Sequence, residues 1–171
     1  MSKLSFVKNK IVALDDANQQ VALWRLKSEK IVFTNGCFDI LHQGHVTYLA
    51  ETANHGDRLI VGLNTDASVK RQGKGDDRPV NDEAARAMVI ASLGFVDMVV
   101  FFDEDTPIMQ IETLKPDVLA KGADYNPDET NANSKEYIVG SDSVRSNGGE
   151  VVAIPLVEGF STTKIINKLK G

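Results

Sequence analysis

The sequence contains little cysteine and no long apolar run. Its single cysteine, Cys37, excludes an internal disulfide and fits a reducing compartment. No stretch of about 18 consecutive apolar residues occurs, so we expect no membrane-spanning helix. The N-terminal stretch lacks the apolar segment and the small-residue cleavage site of an export signal. These absences predict a cytoplasmic protein without a membrane partner.

The chain also lacks an excess of basic residues. It has 19 Lys and Arg residues against 24 Asp and Glu residues, which gives a formal net charge of -5 at pH 7. A broad nucleic-acid-binding surface is normally basic, so we expect no nucleic-acid partner. The length of 171 residues suits one domain over 1–171. Within it, residues 1–29 are predicted to form a helical N-terminal preface.

Short apolar segments alternate with helical segments along the rest of the chain. We predict strands at residues 30–34, 59–63, 96–102, 116–120 and 151–154. One helix is predicted over 82–93 with Asn81 as its N-cap, and another begins at Pro107 after Thr106. The polar, glycine-bearing residues 64–81 are predicted to form a loop. The alternation predicts a doubly wound α/β fold with a mainly parallel, five-stranded sheet, which binds ligands beyond the carboxyl ends of its strands.

The segment IVFTNGCFDILHQGHVTYL, residues 31–49, carries the strongest functional pattern. His42 and His45 follow its predicted strand at the mouth of the next helix, with Gly44 directly before the second histidine. Backbone N–H groups and the positive end of the helix dipole gather at such a junction, and glycine lets a ligand approach the backbone. Both imidazoles can donate hydrogen bonds to phosphate oxygens. Alternatively, one imidazole caps the helix and the other packs against the core.

The chain shows no pattern for covalent catalysis or for a protein-bound metal. It has no G-x-S-x-G sequence, and Cys37 is interpreted as a small buried residue. Neither a P-loop nor a G-x-G-x-x-G fingerprint is present. Cys37, His42 and His45 lack the spacing of common zinc ligands, so no metal site is predicted. Attack on the α-phosphorus of a nucleoside triphosphate fits this inventory, because fixed donors can stabilise its transition state without a protein nucleophile.

Four cations lie close together after the predicted second strand. They are Lys70, Arg71, Lys74 and Arg78, in a chain that is acidic as a whole. An ordinary solvated loop would also carry such residues. Their density in an acidic protein favours an anion site.

The stretch GCFDILHQGH resembles the signature of the H-x-G-H nucleotidyltransferase superfamily, which includes cytidylyltransferases and adenylyltransferases. Later segments resemble its heptose-phosphate adenylyltransferase branch. They are GDRLIVGLNTDASVKR, DRPVN, VDMVVFFDEDTP, KPDVLAKGADY, NGGEVVAIP and GFSTTKII. The resemblance covers roughly residues 8–169 and implies a Rossmann-like nucleotidyltransferase fold.

The resemblance also implies roles for individual residues. The implied catalytic residues are His42, His45 and Lys74. The implied nucleotide-binding residues are Phe33, Gly36, Phe38, Asp39, Asn64, Arg86, Lys121, Gly122, Ser161, Thr162 and Thr163. The implied substrate-binding residues are Lys70, Arg78, Asp124 and Tyr125. Two positions depart from the pattern, because Ala123 stands where a second glycine is usual and Ala84 where an acidic residue is usual.

The implied reaction transfers AMP from ATP to D-glycero-β-D-manno-heptose 1-phosphate, with Mg²⁺ carried on the triphosphate. Its products would be ADP-heptose and pyrophosphate. A CTP-dependent cytidylyltransferase for a polyol phosphate such as glycerol 3-phosphate is the nearest alternative. A non-catalytic nucleotide-binding subunit is the alternative from another class. The resemblance further implies a homo-oligomer such as a dimer, and a separate heptose kinase acting upstream.

Overall fold

The computed structural model describes residues 2–73, 75 and 77–170. Within these residues, six strands form one sheet in the order β1-β4-β3-β2-β5-β6, and every neighbouring pair is parallel. The strands are β1 Ile11–Val12, β2 Ile31–Gly36, β3 Arg58–Asn64, β4 Met98–Phe102, β5 Val118–Gly122 and β6 Glu150–Ile154. The doubly wound parallel fold is confirmed, with six strands rather than the predicted five.

The additional strand is β1, at the edge of the sheet beside β4. It lies inside the segment predicted as a helical preface, between α1 Lys3–Lys8 and α2 Leu14–Arg25. Two residues are too few to show an alternating or continuous apolar pattern. The sequence therefore predicted a helical segment here without the strand that divides it into two helices and joins it to the sheet.

The remaining helices connect the strands. They are α3 Gln43–Ala53, α4 Asp66–Arg71, α5 Glu83–Ala91, α6 Ile108–Leu114, α7 Ser141–Ser146 and α8 Thr162–Lys170. The prediction of a loop over 64–81 is wrong for α4, whose N-cap Thr65 accepts a hydrogen bond from the backbone of Ser68. Asp82 rather than Asn81 caps α5, and Pro107 is the residue before α6 rather than its first residue.

Two apolar cores lie on opposite faces of the sheet. One packs Leu49 of α3 and Ile90 of α5 against the sheet, and the other packs Val21 of α2 and Leu114 of α6 against the reverse face. Both faces are therefore covered, as parallel sheets require. None of the helices in the described ranges is long and apolar enough to cross a bilayer.

Aspartates fasten the amino ends of neighbouring strands. A side-chain oxygen of Asp117 accepts the backbone N–H of Ile31 at 2.7 Å, and one of Asp97 accepts that of Leu59 at 2.9 Å. Each bond joins the residue before one strand to the start of its neighbour. These bonds tie neighbouring strands together at the amino-terminal edge, and the opposite edge holds the cleft described below.

The strand order reverses between β2 and β5. From β2 the chain proceeds through β3 to β4 on one side, and then crosses to β5 on the other side. The segment that follows β2 leads to one side of the sheet, and the segment that follows β5 leads to the other side. A crevice therefore opens between the carboxyl ends of these two strands. A doubly wound sheet binds its ligand in the crevice at this switch point.

We expect Leu119→Ala to lower the free energy of unfolding by about 2–5 kcal/mol, because it leaves a cavity in the fully buried centre of β5. The matched control is Leu26→Ala, since Leu26 is 83% exposed after the end of α2. Its change should stay within about 0.5 kcal/mol. Urea unfolding measures both, and equal losses would contradict the assignment of this core.

Candidate active site

A cleft of about 470 Å³ opens at the switch point, beyond the carboxyl ends of β2 and β5. Its walls come from the β2–α3 connection, the residues after β5, the segment that leads into α8, and Arg78. Of the residues implied by the sequence, it brings together Gly36, Phe38, Asp39, His42, His45, Arg78, Lys121, Gly122, Asp124, Tyr125, Ser161, Thr162 and Thr163. Residues far apart in sequence therefore meet at one edge, as the parallel sheet predicted.

His42 is the N-cap of α3. Its Nδ1 accepts a hydrogen bond from the backbone N–H of His45 at 3.3 Å. Because Nδ1 is the acceptor, the neutral ring carries its proton on Nε2. The capping alternative and the phosphate-donor alternative are therefore compatible, since they use different nitrogens of the same ring.

Gly44 makes this cap possible. A Cβ at position 44 would lie 3.1 Å from Nδ1 of His42 and 3.0 Å from Cβ of Phe160. Those contacts are tighter than ordinary packing allows, so a side chain here would displace the capping imidazole or Phe160. The glycine thus lets the starts of α3 and α8 approach each other.

The two imidazoles form part of an aromatic row. The rings of His42 and His45 stack with centroids 3.7 Å apart, Phe160 stacks on His42 at 6.1 Å, and Phe38 meets His45 edge-on at 5.2 Å. Phe38 has a φ of +43°, which is uncommon for a residue other than glycine and occurs where surrounding structure enforces it. The row holds both imidazoles in fixed orientations before a ligand arrives.

His45 is kept neutral by its surroundings. Burial lowers its pKa from 6.5 to about 4, the adjacent His42 and the Arg78 guanidinium act in the same direction, and the Ile40 carbonyl opposes them. Its Nδ1 is buried without a hydrogen-bond partner among the described residues. Burial also lowers the pKa of His42. An unpartnered buried nitrogen is costly, which points to a ligand group that completes it.

A second helix N-terminus reaches the same cleft. Ser161 caps α8, with its Oγ accepting the backbone N–H of Lys164 at 3.0 Å. Ser161, Thr162 and Thr163 all line the cleft, so hydroxyls and N-terminal N–H groups of α8 lie beside those of α3. Both helix dipoles are positive at these ends, which favours an anion.

The opposite wall follows β5. The Lys121 ammonium donates to the backbone carbonyl of Asn35 at 3.3 Å and lies 5.3 Å from the centroid of the Tyr125 ring. Asp124 folds back over Gly122, where a Cβ would lie 2.6 Å from the carboxylate. This wall offers a cation, a carboxylate and a phenol, which suit hydroxyl and phosphate groups of a substrate.

Four of the implied binding residues do not line the cleft. Phe33 is fully buried in the core that contains α2 and α6, and Lys70 is exposed on α4. Asn64 is buried and donates to Ser68 Oγ at 2.9 Å. Arg86 is 1% exposed and donates to the Cys37 carbonyl at 2.7 Å, so it supports the β2–α3 connection from behind. Lys74 lies outside the described residues.

Several residues that line the cleft were not predicted to be functional. They are Asn35, Cys37, Tyr48, Leu156, Val157 and Phe160. Asn35 and Cys37 fall inside the motif, and an end-of-strand position on β2 could have identified Asn35. Leu156, Val157 and Phe160 belong to an irregular segment, in which Phe160 lies against the start of α3 and Leu156 near Gly122 of β5, and the sequence pattern does not encode these contacts.

The described residues contain no group of three or more His, Cys, Asp or Glu side chains that could hold a metal ion. Asp39 lines the cleft, but both of its carboxylate oxygens already accept hydrogen bonds from the protein. Asp124 is the other carboxylate among the described cleft residues. These residues fit a divalent cation that is carried mainly by the oxygens of a phosphate ligand.

A parallel sheet whose switch-point cleft is surrounded by helix N-termini and neutral imidazoles defines a nucleotide-binding class of α/β domain. Residues 33–168 match the model of the family described as cytidylyltransferase-like. The chain belongs to this family and is a nucleotidyltransferase.

Curated relatives extend the match. A bifunctional protein HldE of Magnetococcus marinus is 52% identical over 161 residues, which are 94% of this chain and 31% of that protein. A bifunctional protein HldE of Rhodospirillum rubrum is 54% identical over 163 residues, which are 95% of this chain and 31% of that protein. The chain thus spans about a third of the length of the curated relatives it matches.

Solved structures support the fold. A lipopolysaccharide core biosynthesis protein from Thermoplasma volcanium superposes with a TM-score of 0.57 and 28% identity, over 75% of this chain and 97% of that chain. A pantoate-beta-alanine ligase from Francisella tularensis also gives a TM-score of 0.57, over 94% of this chain and 76% of that chain. At 14% identity, the second match shows the fold alone.

We expect His42→Ala and His45→Ala each to lower kcat by about 10²–10³, because each removes a preorganised donor from the developing charge. KM should change much less. His55→Ala is the control, since His55 follows the far end of α3. Steady-state pyrophosphate release measures all three variants. A kcat within about threefold of wild type at position 42 or 45 would assign that histidine a structural role.

We expect the thermal stability of the protein to fall with acidification through the His45 titration. The folded-state pKa of about 4 lies below the unfolded value of about 6.5, so unfolding takes up a proton between these values. The contribution of neutral His45 is complete above pH 6.5 and is lost as the pH falls toward 4. His45→Gln should therefore show a smaller drop in Tm between pH 7 and pH 4.5. A drop as large as that of His55→Gln would contradict this assignment.

Proposed function

We propose that the chain transfers AMP from ATP to D-glycero-β-D-manno-heptose 1-phosphate and releases pyrophosphate, which yields ADP-heptose. The observation that carries this proposal is the convergence of His42 and His45 at the start of α3 with Ser161–Thr163 at the start of α8 in one cleft. Their N–H and hydroxyl groups are donors, fixed before the substrate binds. Such a set suits a triphosphate that gains charge during reaction.

The proposed chemistry needs orientation and charge stabilisation. The acceptor phosphate is largely ionised at neutral pH, because a phosphate monoester has its second pKa near about 6. Its oxygen attacks the α-phosphorus in line, the bond to the β-phosphate bridging oxygen breaks, and pyrophosphate leaves. Mg²⁺ bound to the triphosphate would neutralise part of this charge. The neutral imidazoles donate to the α-phosphate and the leaving group, and no proton has to be removed by the protein.

Support for the heptose acceptor comes from the length of the resemblance. It continues after the histidine motif through the β5 wall with Lys121 and Asp124, and into the α8 segment. The HldE relatives match more than nine-tenths of the chain, and the Thermoplasma volcanium relative is a lipopolysaccharide core biosynthesis protein. A heptose nucleotide for lipopolysaccharide assembly is consistent with those matches.

The proposal includes two partners. A separate heptose kinase would supply the sugar 1-phosphate, because the acceptor must arrive with its phosphate in place. The chain would act as a homo-oligomer, for which a dimer is the simplest form. Asn35 and the β5 wall would contact the acceptor sugar, while the α3 and α8 N-termini would hold the triphosphate.

We expect pyrophosphate release to be fastest with ATP and heptose 1-phosphate among combinations of the four nucleoside triphosphates with heptose 1-phosphate or glycerol 3-phosphate. A coupled pyrophosphate assay with purified protein and Mg²⁺ measures this preference. Reactions without acceptor correct for hydrolysis of the triphosphate, and mass spectrometry identifies the sugar nucleotide.

Two outcomes would replace the proposal by its alternatives. Faster turnover of CTP with glycerol 3-phosphate would identify a polyol-phosphate cytidylyltransferase. Tight ATP binding without turnover of any acceptor would identify a nucleotide-binding subunit.

A further inference from the structure

Both carboxylate oxygens and the backbone carbonyl of Asp39 accept hydrogen bonds from the protein. Oδ2 accepts from Nε of Arg78 at 2.5 Å, and Oδ1 accepts the backbone N–H groups of Val80 and Asn81 at 2.8 and 3.0 Å. Its backbone carbonyl accepts from the Asn81 side-chain amide at 2.7 Å. The protein therefore occupies three of the roughly four acceptor sites of the Asp39 carboxylate, which leaves little of it for a ribose or a metal ion.

Most of the hydrogen-bonding capacity of the Arg78 guanidinium, in contrast, is not used by the described protein groups. Of its three guanidinium nitrogens, Nε donates to Asp39, and neither Nη nitrogen has a partner within the part of the chain that the structure describes. The side chain is 8% exposed and lines the cleft. Its charge also acts on the neighbouring His45 ring. A largely buried guanidinium with two unused nitrogens at a phosphate cleft is arranged to receive an anion.

The geometry of the pair explains why an aspartate is needed here. A guanidinium is planar, so a carboxylate on Nε fixes the direction in which the Nη nitrogens point. Two Nη donors in a fixed plane match two oxygens of one phosphate. The carboxylate also offsets the cost of burying the cation while the cleft is empty of ligand.

A second arginine holds the frame of this pair. Arg86 donates through Nε to the Asn81 carbonyl at 3.0 Å, through Nη1 to the Cys37 carbonyl at 2.7 Å, and through Nη2 to Asp66 at 2.7 Å. The backbone on either side of the Asp39–Arg78 pair is thus tied to one buried side chain. Asp39 cannot shift away from Arg78 without breaking this frame.

We propose that Asp39 is a positioning residue that aims the Nη nitrogens of Arg78 at the phosphate of the acceptor, at the His45 end of the cleft. The inference rests on the proposed transfer to a sugar 1-phosphate. It replaces the sequence expectation that Asp39 itself holds the nucleotide. Asp39 acts only through Arg78, so its effect on substrate use should vanish when Arg78 is absent.

A double-mutant cycle tests this dependence. We expect Arg78→Ala to lower kcat/KM for the sugar phosphate by about 10- to 100-fold, the loss of charge-assisted hydrogen bonds. Asp39→Asn should lower it by about tenfold in the wild-type background, and by less than about threefold in the Arg78→Ala background. Glu29→Gln is the matched control, because it also removes a carboxylate from an arginine pair, that of Arg58 at the opposite edge of the sheet, and should add its effect to that of Arg78→Ala.

Chemical rescue separates positioning from a purely structural role. Millimolar guanidinium should restore part of the activity of Arg78→Ala, because Asp39 is present to hold the ion, and should restore none in the double variant. Equal responses of the two variants, or full additivity of Asp39→Asn with Arg78→Ala, would overturn the proposal. If Asp39→Asn does not fold, Arg78→Lys replaces it, and wild-type acceptor affinity in that variant would also overturn the proposal.

Calorimetric binding of the sugar 1-phosphate and of ATP with Mg²⁺ accompanies the kinetics. The cycle can then be calculated from dissociation constants as well as from rates. Binding without turnover in the wild-type protein would refute the proposed reaction and still report whether Asp39 acts through Arg78. We expect Asp39→Asn and Arg78→Ala to be coupled in their effects on acceptor binding. Additive effects on binding would refute the positioning role of Asp39 and leave the proposed reaction untouched.

Discussion

A buried hydrogen-bonded triangle beneath the cleft joins the three elements on which the site depends. Thr34 Oγ1 in β2 lies 2.6 Å from the Tyr48 hydroxyl in α3, and both groups reach the Ala120 carbonyl in β5, at 3.0 and 3.4 Å. Burial raises the pKa of Tyr48 to about 12, so the phenol stays protonated and remains a donor. The position of α3 over the switch point follows from these bonds, and the position of both histidines follows from α3.

The electrostatics of the cleft come from dipoles and hydrogen bonds more than from free charge. His42 and His45 have lowered pKa values and are neutral at pH 7, and the start of α8 contributes hydroxyls and N–H groups. Neutral donors cost less to bury than cations in the absence of substrate. They also favour charge that develops during a reaction, because they are already oriented when it appears. The largely buried cation of the cleft, Arg78, is accompanied by its own carboxylate.

The parts of this structure that were predicted from the sequence are those marked by apolar runs or by short motifs. Each of the strands β2 to β6 contains a short apolar run, and the His42–His45 spacing at a strand-to-helix junction is a local signal. The side of a strand on which a residue lies depends on register, so Phe33 was assigned to the cleft although it faces the opposite core. The resemblance implied that Arg86 binds nucleotide, and no sequence pattern shows that its guanidinium donates to three acceptors of the protein.

His42 illustrates how fold and chemistry restrict one position differently. Serine, threonine, asparagine or aspartate would satisfy the helix start, because each offers an acceptor to the backbone N–H of residue 45. A phosphate ligand instead requires a hydrogen-bond donor at this position, directed away from the helix and toward the cleft. Histidine meets both requirements, because Nδ1 accepts the bond that caps the helix and the protonated Nε2 can donate to a ligand. Drift at this position toward a better helix cap would leave a well-folded domain with an impaired cleft, which is how a family of this architecture could produce binding proteins from enzymes.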